Sequence, residues 1–283
     1  MVTARAPVRK AGVVGWPVAH SLSPLIHETW AAREGRRITY ERIPAAPDDA
    51  AFGSAIERLM RDGYKGCNVT LPHKERALAL ADEASAEARA AGAANMLTFG
   101  GRKVIADNSD IAGFAAALEE AGVKPASALI LGAGGAARGV AIALRRVCGA
   151  ARISIINRSA DRAIALARLV DGEALDWSSR AAALADADLL VNTTSLGMTG
   201  EPPLDLDLEA LPRGAAVADI VYSPLETPLL AAARAAGRRA IDGLSMLMHQ
   251  AAFGYRAWLG NEAVVDADLR ARLEAALKAR AGA

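Results

Sequence analysis

Cysteine is scarce: Cys67 and Cys148 stand alone, far apart and outside any C-x-x-C or Cys/His spacing. That excludes a disulfide framework and offers no zinc-ligand pattern, and two reduced thiols fit a cytoplasmic protein. Net charge is nearly absent too, with 33 Lys and Arg against 32 Asp and Glu for a formal +1. So even a balance argues against a nucleic-acid or membrane surface as partner. Long apolar runs are missing, none approaching the roughly 18 residues that a membrane span needs. Residues 1–10 carry three cations, as the start of a secretory signal would, but Gly15, Pro17 and His20 break the apolar stretch behind them. Aromatic residues make up only 4% of a chain that is 52% hydrophobic, which leaves mostly Ala, Leu and Val, the makeup of helices packed on a sheet. Tandem repeats, low-complexity tracts and an evident flexible linker are also lacking.

What is present is alternation. Val13-Val14-Gly15 reads as a strand, Ser23 to about Gly35 as a helix, 38–40 as a strand and 48–61 as a helix. Further β/α units recur at 127–147, 153–170, 188–194 and 216–236. Residues 244–281 read as largely helical, with Leu244, Leu247, Met248, Ala251, Tyr255 and Trp258 along one core-facing stripe. The chain is therefore α/β. The motifs described next place the domain boundary: 111–243 form one domain, and 1–110 with 244–283 form the other.

Within 111–243, "ALILGAGGAARGVAIAL" gives an apolar strand, then Gly132, Ala133, Gly134, Gly135 and Ala136, then a helix. Glycine permits the tight turn and close backbone approach, and the helix start offers free N–H groups to a pyrophosphate. The next strand ends not in Asp or Glu but in Asn157, Arg158 and Ser159, with Arg162 one turn on. A carboxylate there would repel a 2′-phosphate, whereas guanidinium groups would pair with it, so the pattern points to NADP rather than NAD. The plainer reading has Asn157 capping a helix and both arginines solvated.

In the other half, "NVTLPHK" reads as a short strand turning into a helix, with β-branched Val69 and Thr70 and with Pro72 in the first helical turn. Lys74 then sits at the positive end of a helix dipole, where an ammonium is disfavoured. In "HSLSP", Ser23 before Pro24 reads as an N-cap, yet Ser21 and Ser23 fall on one side of an extended segment where two hydroxyls can grip a carboxylate. The four histidines show no metalloprotease or triad spacing and read as structural.

Taken together, "VVGWPVAHSLSP", "GCNVTLPHK", "GAANML", "DNSD", "GAGGAAR", "NRS", "NTTSLGM", "DIVYSPLETPLL" and "GLSMLMHQAAF" stand in the order and at the spacing of the shikimate dehydrogenase family, which the chain resembles over nearly its whole length. The resemblance implies an α/β substrate-binding domain completed by the C-terminal helices and a Rossmann-type NADP-binding domain. It implies a catalytic pair at Lys74 and Asp110, with the proton passing through one or the other. Substrate carboxylate would meet Ser21 and Ser23, and ring hydroxyls would meet Thr70, Asn95, Asp110 and Gln250, with Tyr222 close by. Beside the glycine turn and the 157–162 segment, cofactor contacts would fall on Ile220, Gly243 and Met246. Three positions depart from the family pattern: Met96 for Thr, Ser109 for Thr, and Ser85-Ala86 where an acid is common. The implied activity is NADPH-dependent reduction of 3-dehydroshikimate to shikimate by a monomer or homodimer. A quinate or dual-specificity dehydrogenase is the second reading. A nucleotide-binding sensor is the third, and it has no need of an acid–base pair.

Overall fold

The computed structural model describes residues 8–281; the first seven residues, part of the cationic start, and the last two lie outside this range. Its contacts gather into two compact units. One runs to Ser109 and takes Ala251–Leu269, and the other comprises Asp110–Gln250 and the chain from Arg270.

The first unit begins with β1 (Arg9–Gly15), α1 (Ser23–Arg33), β2 (Ile38–Pro44), α2 (Asp49–Arg61), β3 (Gly66–Val69) and α3 (Lys74–Leu80). It continues through β4 (Glu83–Ala84), α4 (Ala86–Ala91), β5 (Met96–Gly100) and β6 (Lys103–Asp107). These strands form one sheet in the order β2-β1-β3-β5-β6-β4. β1 lies parallel to β2 and β3, while β5 runs antiparallel to β3 and β6. β5 and β6 are absent from the sequence-based expectation. Their signal is the Gly-Gly pair: Gly100 pairs with Lys103, and Gly101 takes φ +67° in the two-residue turn. Pro72 does not enter α3, which starts two residues later, because a turn closes from His73 N–H to the Thr70 carbonyl at 3.0 Å. Ser23 is likewise the first helical residue rather than the N-cap, a position held by Leu22. Ser21 Oγ instead accepts the Ser23 N–H at 3.2 Å.

The second unit contains α5 (Asp110–Glu120), β7 (Ser127–Leu131), α6 (Gly135–Ile142), β8 (Arg152–Ile156), α7 (Ala160–Leu169) and β9 (Glu173–Leu175). After these come β10 (Leu189–Asn192), β11 (Ala216–Asp219), α8 (Pro228–Ala235) and β12 (Arg239–Ile241). The sheet order β9-β8-β7-β10-β11-β12 is parallel throughout and reverses direction of growth between β7 and β10. This is the doubly wound arrangement, whose ligand crevice lies beyond the strand carboxyl ends at that reversal. β7, β10 and β11 are buried along their full length, as parallel strands covered on both faces must be. Each fully buried Leu or Val here contributes ~1.5–3 kcal/mol of burial free energy.

Two helices close the chain, α9 (Gly243–Trp258) and α10 (Ala267–Ala281). The stretch read as largely helical is interrupted between them, and at Gly260 a Cβ would overlap the Tyr255 ring. Within the first unit, Trp258 covers Gly66 so closely that no side chain fits there, and its Nε1 donates to Thr98 Oγ1 at 2.8 Å. Glu34 accepts the N–H groups of Asn261 and Glu262 at 3.0 and 2.8 Å, and Trp30 Nε1 donates to the Val264 carbonyl at 2.7 Å. Three of the scarce aromatics, Trp30, Tyr40 and Tyr255, gather around His27. His27 stacks on Tyr40 with ring centroids 4.0 Å apart, and Trp30 lies 5.4 Å from Tyr255.

His27 is fully buried, and among the described residues neither of its ring nitrogens has a hydrogen-bond partner. The neighbouring Asn68 Oδ1 is taken by the Tyr40 hydroxyl at 2.6 Å. Burial pushes the imidazole from 6.5 down to about 3, with Asn68 opposing the fall. Between these values the unfolded chain binds a proton that the folded one refuses, so His27 removes stability as pH falls. His27→Phe keeps a ring on Tyr40 and should gain stability relative to the parent by up to ~1.4 kcal/mol per pH unit as pH drops from 6.5 toward 3. Urea midpoints of both proteins, compared near neutrality and in mild acid, test this; a pH-independent difference refutes it.

Candidate active site

In the first unit, the residues expected to meet substrate lie just past the carboxyl ends of β1 and β3 and at the start of β5. Ser21 and Ser23 are both buried, with Oγ atoms 3.2 Å apart. The loop carrying them is fixed by Arg42, whose Nε and Nη2 donate to the Ser21 carbonyl at 2.9 and 2.7 Å. Thr70, half-buried, follows β3 directly, and its N–H donates to the Val14 carbonyl at 2.9 Å. Lys74 is half-buried at the first residue of α3, behind an N-cap, His73, that gives no side-chain cap. His73 is buried, stacks on Phe52 and places its Nε2 3.0 Å from the Ala45 carbonyl, in keeping with a structural role.

Asn95 is held by Ser109 from both ends of its amide. Nδ2 donates to Ser109 Oγ at 3.0 Å, and Oδ1 accepts the Ser109 N–H at 2.8 Å. The hydroxyl kept by Ser109 supplies the first of these and its backbone the second, so Met96, buried in β5, leaves the Asn95 side chain anchored. Ser85 also has a clear part: it caps α4 through the Ala88 N–H at 3.0 Å and donates to Asp107 Oδ1 at 2.6 Å.

Asp110 opens α5 as the first residue of the second unit and is buried. Gln250, also buried rather than water-facing, packs beside Gly113, where a Cβ would come 2.6 Å from its own. Tyr222 is half-buried, three residues past the end of β11.

The glycine turn follows β7, next to the strand-order reversal. Gly132 has φ +109°, and a Cβ on it would lie 2.5 Å from Thr193 Oγ1, so both the conformation and the space require glycine. Gly134 is the N-cap of α6, with open space where a Cβ would stand, and Gly135 is its first helical residue. Ala133 is buried and Ala136 half-buried in the same turn. The residues present therefore suit a pyrophosphate against the backbone at a helix start. Arg158, Ser159 and Arg162 are exposed past β8, and Asn157 does not cap α7, because its Nδ2 donates to the Ser159 carbonyl at 3.0 Å. Gly243 begins α9 with no room for a Cβ against the Ile220 carbonyl, and Met246 borders the same small gap.

One polar network has no counterpart in the sequence reading. Asn192 and Asp219 end β10 and β11 as directly paired residues. Asp219 is buried; its Oδ1 accepts Asn192 Nδ2 and the Val221 N–H, both at 3.0 Å, and its Oδ2 accepts Thr227 Oγ1 at 2.7 Å. Asn192 Oδ1 in turn accepts the N–H and hydroxyl of Thr194 at 3.0 and 2.7 Å. Burial pushes the Asp219 carboxyl up to about 6, with the three donors holding it back.

A cavity of about 560 Å3 opens at the opposite edge of this sheet, among the turns before β7, β11 and β12. Arg239 there donates to the Ala121 and Gly122 carbonyls and Arg238 to that of Ala236, just past α5 and α8. Cations at the negative ends of helices need no ligand to account for them.

The description "Shikimate dehydrogenase substrate binding domain" fits residues 13–97, and "Shikimate / quinate 5-dehydrogenase" fits residues 115–198. A shikimate dehydrogenase (NADP(+)) of Acidiphilium cryptum is 52% identical over 91% of this chain and 93% of its own length. The chain belongs to the shikimate dehydrogenase family. A solved shikimate 5-dehydrogenase of Thermus thermophilus, in complex with NADP(H) and shikimate, is 36% identical, with TM-score 0.83 over 96% of this chain and 99% of that one. A quinate dehydrogenase of Corynebacterium glutamicum in complex with NAD is 31% identical, with TM-score 0.81 over 88% and 93%. Among the described residues no group of three or more metal-ligating side chains occurs, and no helix is long and apolar enough to cross a membrane.

Because the Gly132 turn has neither the backbone freedom nor the space for a side chain, Gly132→Ala should weaken dinucleotide binding by roughly ten- to a hundredfold. Titration followed by NADPH fluorescence measures this, and affinity within twofold of the parent, about the scatter of such titrations, contradicts it.

Proposed function

We propose that the chain catalyses the reversible, NADPH-dependent reduction of 3-dehydroshikimate to shikimate in aromatic amino-acid biosynthesis, with the second unit binding the dinucleotide. The observation that carries this reading is the close likeness, along almost the whole chain, to an NADP-dependent relative. The balanced charge, the two thiols and the lack of a spanning helix among the described residues support a cytoplasmic enzyme working on a small molecule as a monomer or homodimer.

Ser21 and Ser23, with their hydroxyls side by side, grip the two oxygens of the substrate carboxylate. Asn95, fixed in orientation by Ser109, and Thr70, Gln250 and Tyr222 bind around the ring hydroxyls. NADPH supplies the hydride when bound. Lys74 places its ammonium beside the carbonyl oxygen and stabilises the negative charge that grows there. Asp110 accepts a hydrogen bond from a ring hydroxyl and orients the ammonium, and the proton passes through one of these two side chains. An ammonium at the first residue of a helix is held there against the local field, which is a disadvantage for the fold and an advantage beside an alkoxide.

Gly132, Ala133, Gly134, Gly135 and Ala136 hold the pyrophosphate, and Ile220, Gly243 and Met246 border the nicotinamide. Asn157, Arg158, Ser159 and Arg162 meet the 2′-phosphate, and the end of β8 offers no carboxylate to repel it. The likeness to a quinate dehydrogenase keeps quinate as the second substrate to test.

Lys74→Ala should lower kcat by ~100- to 10,000-fold while KM for shikimate changes little. Equal loss of binding, or normal turnover, contradicts the role. Rates for shikimate and quinate, each with NADP and NAD, should give the highest kcat/KM for shikimate with NADP, and Arg158→Ala with Arg162→Ala should erode the preference for NADP over NAD. No shikimate-dependent NADP reduction at alkaline pH would remove the proposal.

A further inference from the structure

We propose that Asp219 is a positioning residue for the dinucleotide: through Asn192, Val221 and Thr227 its carboxylate holds the loops after β10 and β11 in the shape that receives NADP. The inference rests on the dinucleotide-binding role of the second unit and goes beyond it in assigning a group that need not touch the ligand.

Three segments meet on this one side chain. The Val221 N–H belongs to the loop after β11, Asn192 ends β10, and Thr227 is the N-cap of α8. From Asn192 the order passes to Thr194, whose hydroxyl accepts the Leu196 N–H at 3.1 Å. Next to it, Thr193 donates from N–H and Oγ1 to the Leu131 carbonyl at 2.8 and 2.7 Å, directly before Gly132. The carboxylate is therefore linked to the glycine turn through hydrogen bonds at Asn192 and Thr193 and the peptide bond that joins these two residues. On its other side, the Ile220 carbonyl lies against Gly243 at the start of α9.

All three partners of Asp219 are donors, so the site is built for the ionised form. That form is not what the fold prefers. With its carboxyl raised from 3.8 to about 6 by burial, the folded protein binds more protons than the unfolded one between these values, and stability declines as pH rises through them. At neutral pH the protein keeps a buried charge that weakens it, the signature of a group retained for a site rather than for a core.

Other ionisable groups lie on the elements packed around it. β12 brings Asp242, bridged to Arg270 at 2.6 Å; the α8 segment brings Glu226, paired with Arg234 at 2.7 Å; α5 and α9 bring Glu120 and His249, 3.3 Å apart. Tyr222 follows in the same loop as Val221. The 2′-phosphate of NADP also titrates near pH 6. The diagnostic quantity is therefore the difference between variant and parent, in which these contributions cancel.

KM for NADP at saturating shikimate, measured from about pH 5 to about pH 8, tests the assignment. Asp219→Asn, which turns an amide N–H2 toward a ring of donors, should raise KM for NADP about tenfold at the alkaline end, with kcat and KM for shikimate within about twofold. The ratio of variant to parent KM should shrink below pH 6, where the parent carboxyl is protonated as well. Thr227→Val, read alongside its thermal midpoint, supplies the second variant: losing one donor should move the parent's inflection to higher pH, a shift that weaker capping of α8 does not produce. A ratio that is flat in pH or close to one, or an inflection unmoved in Thr227→Val, overturns the proposal. Failure of Asp219→Asn to fold transfers the decision to the Thr227→Val inflection, whereas absence of NADP turnover in the parent overturns the underlying function instead.

Discussion

Six parallel strands put all their carboxyl ends on one edge of the second sheet, and that constraint governs where its chemistry can be. Backbone groups at such an edge lose their ladder partners and must be satisfied by loops, side chains or ligand. Here the loops do it at two points. Gly132 lets Thr193 approach the end of β7 without a side chain between them, and Asp219 collects the donors beyond β10 and β11. The opposite edge receives helix carboxyl ends, and its arginines answer those. The two edges of a single sheet thus carry opposite electrostatic demands, which is why a roomier cavity at the wrong edge is no rival for the dinucleotide.

Much of this was legible because it is local. The strand, glycine turn and helix at 127–142 follow from residues within a few positions of each other, and so does the buried stripe of α9, in which Leu247 alone is only partly covered. The hydroxyl of Ser109 could be noted, but its grip on Asn95 spans 14 positions and appears only when β5 and β6 are paired. Asp219 and Asn192 are 27 positions apart, and nothing in "NTTSLGM" or "DIVYSPLETPLL" taken singly joins them. His27 reads as structural, and so it is; its two unpartnered nitrogens depend on Tyr40 and Tyr255 covering it from distant parts of the chain. Motif and resemblance therefore point to candidate binding and reacting groups, while the groups that hold them in place act through distances along the chain that spacing does not encode.

His27 and Asp219 carry titrations of opposite consequence. Acid works against the fold at the imidazole, which burial keeps neutral, and in its favour at the carboxyl, which burial would rather protonate. Over the range where both operate, the two slopes offset each other. The acid limb of the whole protein's stability then understates what either site contributes alone, and only paired comparison with a variant isolates them.

The seating of Trp258 over Gly66 also bears on how the chain is made. The first unit's core is finished by residues 251–269, so a nascent chain halted after residue 109 lacks the tryptophan that covers β3 and the segment that satisfies Glu34. During synthesis the amino-terminal sheet must wait, incomplete and with apolar surface uncovered, until residues 251–269 have left the ribosome, whereas the parallel sheet has all its strands before then.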